Sequence, residues 1–403
     1  VIRPPDLKAF EAWEWGNKGV SFDRLGRYED AIRCYDKVLE LEPRDAKAWN
    51  NKGSSLASLG RYDEAIRCCD KALELEPRLA QAWSNKGLSL ANLNCYDEAI
   101  RCCDKALELD PRYAAAWTNK GGSLAKLGRY AEATRCFDKA LEINPQFAMA
   151  WSNKGNSLAS LGRYDEAIRC YDKALELNPR DVAAWGNKGD SLDSLGRYEE
   201  AICCYDKVLK LDPRDAKAWY NKGISFASLG RYDEAIRCYD KALELNPRDV
   251  AAWYNKGISF DRLGRYEDGI RCYDKALEIN PQFAMAWSNK GNSLDSLGRY
   301  DDAIRCYDKA LELDPKHAAT WHNKGLSLAN LRRDDEAIRC YDKALELDPK
   351  YVGTWFNKAL VEERLDRKPD AVRSYKQFIA LAPAQDAAQI QYASKRLREL
   401  EGH

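Results

Sequence analysis

The chain has 403 residues and a net charge of zero, with 64 Lys and Arg against 64 Asp and Glu. This balance excludes the basic stripe of a nucleic-acid binder and the polybasic helix of a membrane-surface protein. No apolar run reaches the roughly 18 residues that a spanning helix needs. No signal peptide opens the sequence; it starts Val1-Ile2-Arg3 without Met and is expected to be a fragment of a longer protein.

Residues 1–11 read as a leader, and from residue 12 the chain repeats. Trp15, Trp49, Trp83, Trp117, Trp151, Trp185, Trp219, Trp253, Trp287, Trp321 and Trp355 stand 34 residues apart, and eleven prolines from Pro43 to Pro383 keep the same period. A fixed period of this size means one supersecondary unit stacked many times. The expected units are 12–45, 46–79, 80–113, 114–147, 148–181, 182–215, 216–249, 250–283, 284–317, 318–351 and 352–385, numbered 1 to 11 below. They form one continuous array.

Each unit reads as two helices. In repeat 2, Asp45 is the expected N-cap of a first helix (A) that runs to about Leu59. Gly60 supplies the left-handed residue that ends it. Tyr62-Asp63-Glu64 opens a second helix (B), with its acidic side chains near the positive N-terminus, and Pro77 stops it. Trp49, Gly53 and Leu56 share one face of helix A. Gly53 weakens that helix by up to about 1 kcal/mol, so it is expected to admit a close partner helix. Ala65, Cys69 and Ala72 form the facing stripe of helix B, and most units carry Tyr in the middle, as Tyr171 or Tyr239.

The last unit is eroded: Ala359, Val361 and Lys376 replace the recurrent Gly, Ser and Asp. Residues 386–403 then read as a capping helix with Ile390, Ala393, Leu397 and Leu400 on one side. A block recurs unchanged four units apart, residues 142–158 as residues 278–294.

The unit resembles the tetratricopeptide repeat (TPR) family in its 34-residue length, in Trp, Gly and Leu on helix A, and in Ala, Tyr, Ala and then Pro on helix B. The resemblance covers residues 12–385. It implies an all-α fold, a right-handed superhelix (α-solenoid) of antiparallel helix pairs, with A helices lining a concave face and B helices a convex one. One departure is the Lys that follows each Asn, from Lys18 to Lys358, where the family usually places Leu. A helical wheel puts Lys52 on a flank with Ala48, Ser55 and Leu59. That flank is expected to meet the neighbouring A helix, with the Lys head reaching a carboxylate or water.

Ten of the 14 cysteines recur at one place per unit, from Cys34 to Cys340. Equivalent positions on stacked helices lie about 8–10 Å apart, beyond the roughly 7 Å reach of a disulfide. Buried thiols in a reducing, cytoplasmic setting are the expectation. There is no metal-ligand spacing and no cofactor motif. His317 and His322 are expected to be solvated, and no catalytic set appears.

Eleven Asn residues recur on the side of helix A away from the Trp face: Asn17, Asn51, Asn85, Asn119, Asn153, Asn187, Asn221, Asn255, Asn289, Asn323 and Asn357. Each carries a donor and an acceptor and can bracket a peptide unit. The row is expected to hold an extended backbone; the competing expectation is that each Asn bonds its neighbouring helix and sets the stacking. Around the row the face varies. Repeats 4 and 5 offer a small, polar stretch with Ala115, Thr118, Gly122, Met149, Ser152 and Asn156. Repeats 7 and 8 offer Tyr220, Ile224, Tyr254 and Ile258, an apolar patch of the kind that marks interaction sites. Asp190, Asp193, Asp261 and Asp295 add acidic positions. The Lys and Arg with which some family members grip a C-terminal carboxylate are missing, since the matching places hold Gly16, Asn50, Ser84 and Ser152. The expected function is binding of a protein or peptide segment in the groove, with no nucleic acid, membrane, metal or cofactor. The alternatives are a structural spacer, or the targeting arm of a larger enzyme.

Overall fold

The computed structural model describes residues 7–402, and those residues form 23 α-helices and one short 3-10 turn, Ala384–Asp386, with no strand. The helices alternate as A and B in tandem antiparallel pairs, and within each compact unit a B helix packs on its own A helix and on the next. Two compact units result, Val1–Leu211 and Asp212–His403. No described helix is long and apolar enough to cross a membrane.

Repeat 2 shows how local chemistry sets the pattern. Helix A spans Ala46–Ser58, and the Asp45 carboxylate accepts from Lys47 N and Ala48 N at its start. Asp181, Asp215 and Asp249 cap their helices in the same way. Gly60 turns the chain with a φ of 77°, and Tyr62–Leu75 forms helix B. Inside the pair, the recurrent Gly lets B approach closely. A Cβ built on Gly155 would stand 2.6 Å from Tyr171 Cε1, too close for real atoms. The row of ten cysteines lies buried beside these contacts with free thiols. Burial also pushes the thiols of Cys69 and Cys103, which replace the Tyr in repeats 2 and 3, up to about 12.

The seams between repeats use three recurrent contacts. From Trp49 to Trp355 each recurrent indole reaches back to a proline carbonyl, as Trp49 Nε1 does to Pro43 O at 3.1 Å and Trp253 Nε1 to Pro247 O at 3.0 Å. The Lys row bonds the Asp of the preceding B helix: Lys52 to Asp36 at 2.5 Å, Lys154 to Asp138 at 2.6 Å and Lys290 to Asp274 at 2.6 Å. The same ammonium groups lie over the indole rings, Lys154 Nζ 5.4 Å from the centre of Trp151. The Lys row thus reaches carboxylates, as the sequence reading expected, and the structure supplies the partner. Its flank does meet the neighbouring A helix, through Ser55 Oγ to Asp23 Oδ1 at 2.6 Å, but the long Lys stem carries its head across the seam to helix B.

A third contact is irregular. At Asp23 and Asp261, eight residues after the Trp, the carboxylate accepts from the Tyr of its own B helix and the Ser of the next A helix, whereas Asp295 takes the Ser alone and Tyr307 turns to Asn292 Oδ1. Asp261 bonds Tyr273 OH at 2.6 Å and Ser293 Oγ at 2.8 Å. Asp261 and Asp295, grouped with the groove acids in the sequence reading, are therefore held between repeats, and burial raises both carboxyls above the usual range.

At the C-terminal end, helix Ala387–Glu401 lays Ile390, Ala393 and Leu400 against Ala371, Tyr375 and Phe378. Lys376, standing where other repeats have Asp, pairs with Glu401 at 2.7 Å.

Candidate interaction face

The Asn row projects from one face of the A helices, and its geometry is divided. The side-chain N–H groups mostly reach back to the preceding repeat. Asn85 donates to Asn50 Oδ1 at 2.9 Å, Asn119 to Ser84 Oγ at 3.2 Å, Asn255 to Tyr220 OH at 2.8 Å and Asn289 to Tyr254 OH at 3.0 Å. Asn187 and Asn323 reach Asn156 and Asn292 instead, both at 2.8 Å. Asn17, Asn51, Asn153 and Asn357 make no such bond among the described residues, and Asn221 sits at the start of the second unit on Ala216–Ser228. No donor among the described residues reaches the side-chain oxygens of Asn85, Asn119, Asn255 or Asn323. Six members of the row thus spend a donor on stacking, and four of those six keep a side-chain oxygen that no described donor reaches.

The residue just before each Asn faces the seam more than a wheel suggests. Asn50, Ser84, Thr118, Ser288 and His322 are buried there. Tyr220 and Tyr254 are half-buried: Tyr220 packs 5.9 Å from Tyr239, and Tyr254 lies 6.0 Å from Tyr273 and 4.8 Å from Phe283. Ile224 and Ile258 remain on the open face and border cavities of about 330 and 250 Å³.

His322 corrects the expectation of a solvated imidazole. The next repeat covers it, its Nδ1 lies 2.8 Å from Thr354 Oγ1, and burial lowers its pKa to about 4, which keeps the ring neutral at physiological pH. His317 is half-buried and caps helix Ala318–Asn330, accepting from Thr320 N. Each ring thus turns its Nδ1 to a threonine hydroxyl, Thr320 for His317 and Thr354 for His322. Among the described residues, no group of three or more His, Cys, Asp or Glu side chains could hold a metal ion.

Four cavities open on the A-helix face, and each is bordered by at least one Asn of the row. They measure about 570 Å³ at Asn119 and Asn153, 390 Å³ at Asn187, 330 Å³ at Asn255 and 250 Å³ at Asn289. The first, spanning repeats 3 to 5, includes Thr118, Gly122, Met149 and Asn156 of the small, polar stretch marked in the sequence, and Gly122 is the one glycine three residues after a row Asn.

A tetratricopeptide repeat profile matches residues 80–113, 114–147, 148–181, 216–249, 250–283, 284–317 and 318–351. Related TPR profiles match residues 17–80, 189–230 and 170–202. No curated protein matches the chain. Among solved structures, YrrB, described as a TPR protein with an unusual peptide-binding site, is 29% identical over 47% of this chain and 98% of its own, with a TM-score of 0.43. Yeast Tom70 is 20% identical over 97% of both chains, with a TM-score of 0.42. MamA is 30% identical over 41% of this chain and 96% of its own, with a TM-score of 0.40. Tandem arrays of this repeat are protein-interaction scaffolds and generally not enzymes. With seven full repeats matched by a single profile and the helix pairs in register with them, the chain belongs to the tetratricopeptide repeat family.

Proposed function

We propose that the array binds an extended segment of a partner protein along its A-helix face, the concave face of the repeat. In this reading the outward oxygens of the Asn row accept from the segment's backbone N–H groups, and Tyr220, Ile224, Tyr254 and Ile258 add apolar contact. The carrying observation is the coincidence of cavities and row: four openings on one face, each edged by a row Asn. Backbone acceptance of this kind is largely indifferent to sequence, so the varied residues around the row would set the preference. The reading assigns binding and no chemistry. The buried thiols of the Cys row, none of them in a disulfide, support a reducing compartment such as the cytoplasm.

A second reading, that the array is a spacer, draws on the six Asn side chains that donate to a neighbouring repeat. The two separate in a selection of linear peptides from a displayed random library against the whole chain. Binding predicts recovered peptides whose affinity falls about fivefold for Asn255→Ala or Asn323→Ala, the effect of one hydrogen bond of about 1 kcal/mol. Failure to recover any linear peptide, or affinities blind to these changes with helicity intact, would favour the spacer.

A further inference from the structure

We propose that repeats 3 to 5 form a socket for one large apolar side chain of the bound segment, beside a carboxylate carried by that same segment. This rests on the groove reading above and narrows it to one place and one chemistry.

The chain supplies its own comparison. Residues 142–158 recur unchanged as 278–294, so Met149 and Asn153 share their local sequence and helix with Met285 and Asn289. Their own helices differ only at Ala159 against Asp295, and the repeat behind them differs at the positions that face the row Asn. Behind Asn289, Tyr254 takes up its amide, and Ile258 and Tyr273 leave a cavity of about 250 Å³. Behind Asn153 the same three positions hold Thr118, Gly122 and Phe137. Thr118 turns its hydroxyl to Ala114 O at 3.0 Å, and no group among the described residues bonds the Asn153 amide. A Cβ on Gly122 would meet nothing within 4 Å. The opening here is about 570 Å³, within the range of pockets that hold small ligands.

The lining indicates the occupant. Leu88 and Met149 are 40% and 53% exposed, a high value for apolar side chains at a groove. Phe137 closes the floor without the hydroxyl that Tyr171 donates to Asn156 Oδ1 in the next repeat. An aromatic or branched aliphatic side chain fits such a surface. Asn153 offers both a donor and an acceptor, enough to bracket one residue of an extended backbone. Lys126 is the one charged residue lining the cavity, and it has no ion-pair partner among the described residues. A carboxylate next to the apolar side chain would complement it.

The chain contains two Met residues, one in the socket and one at its filled counterpart. Carbon-13 methyl-labelled Met in the whole chain therefore gives a reporter and an internal control. The probe is a Ser/Thr dodecapeptide with a central Asp-Phe, alongside versions carrying Asp-Ser and Asn-Phe. The expected result is a saturable shift of the Met149 methyl with Met285 unmoved, at least tenfold weaker binding of the Asp-Ser peptide, and weaker binding of Asn-Phe. Gly122→Ile, which copies Ile258 into an open space, should weaken the probe at least tenfold and leave the melting curve in place. Equal shifts at both Met residues, or full affinity in Gly122→Ile, would overturn the socket. If library peptides still depend on Asn255 and Asn323 while Met149 stays unmoved, the socket is wrong and the groove reading stands. If the Asn dependence is absent as well, both fall.

Discussion

Asn153 and Asn289 show how one residue type takes two roles according to the repeat behind it. The recurrent Tyr of helix B behaves similarly. Tyr273 donates to Asp261, whereas the Tyr341 hydroxyl is buried with no hydrogen-bond partner, because Leu326 and Ala329 occupy the places that carry acceptors elsewhere. A buried unpaired hydroxyl costs about 1–3 kcal/mol. Tyr341→Phe, which copies Phe137, is expected to raise stability by about 1 kcal/mol, and Tyr273→Phe to lower it by a similar amount. Chemical denaturation of both variants checks this, and a loss in Tyr341→Phe would refute the assignment. The Asn row, the Lys row and the small residues beside them were all legible in the sequence. Their partners were not. A helical wheel places a side chain relative to its own helix and cannot say which atom of the next repeat meets it, so Asp36 opposite Lys52 and Thr354 opposite His322 emerged only from packing.

At the scale of the helix pair, legibility was nearly complete. The period, the Asp45 cap, the Gly60 turn and the proline stop fixed helices that the structure reproduces within a residue or two. The glycine in the middle of helix A was understood from its cost, and the geometry supplies the reason. Two glycines one repeat apart should therefore respond oppositely to the same change. Gly155→Ala drives a methyl into the Tyr171 ring, and overpacking of this kind costs about 1–3 kcal/mol. Gly122→Ala adds a methyl to open space and gains helix propensity, about 0.5–1 kcal/mol. Thermal melts of the two variants should move in opposite directions. A common direction would mean that the close approach of helix B is not what the glycine provides.

Over the whole molecule, the seams repeat while the faces vary. Deletion of residues 148–181 removes one full period and brings Lys188 to the place that Lys154 held opposite Asp138. The shortened chain is expected to keep its cooperative melt and its helicity per residue, and to lose the Asp-Phe probe along with Met149. A deletion of residues 165–181, half that length, would join two A helices and should fail to fold, and an unfolded full-period deletion would show that the repeats are not interchangeable. The seam also has a direction. The A helices bring the cation and the indole donor, and the B helices before the last, each with its following proline, bring the anion and the carbonyl. Such a head-to-tail contact has no intrinsic end and, left complementary, can grow into open fibres. Lys376 removes the anion from the last B helix and turns its own charge onto Glu401. An A helix arriving with its own Lys would meet a like charge there, so one reversed side chain withholds from the eleventh repeat the seam that earlier repeats make.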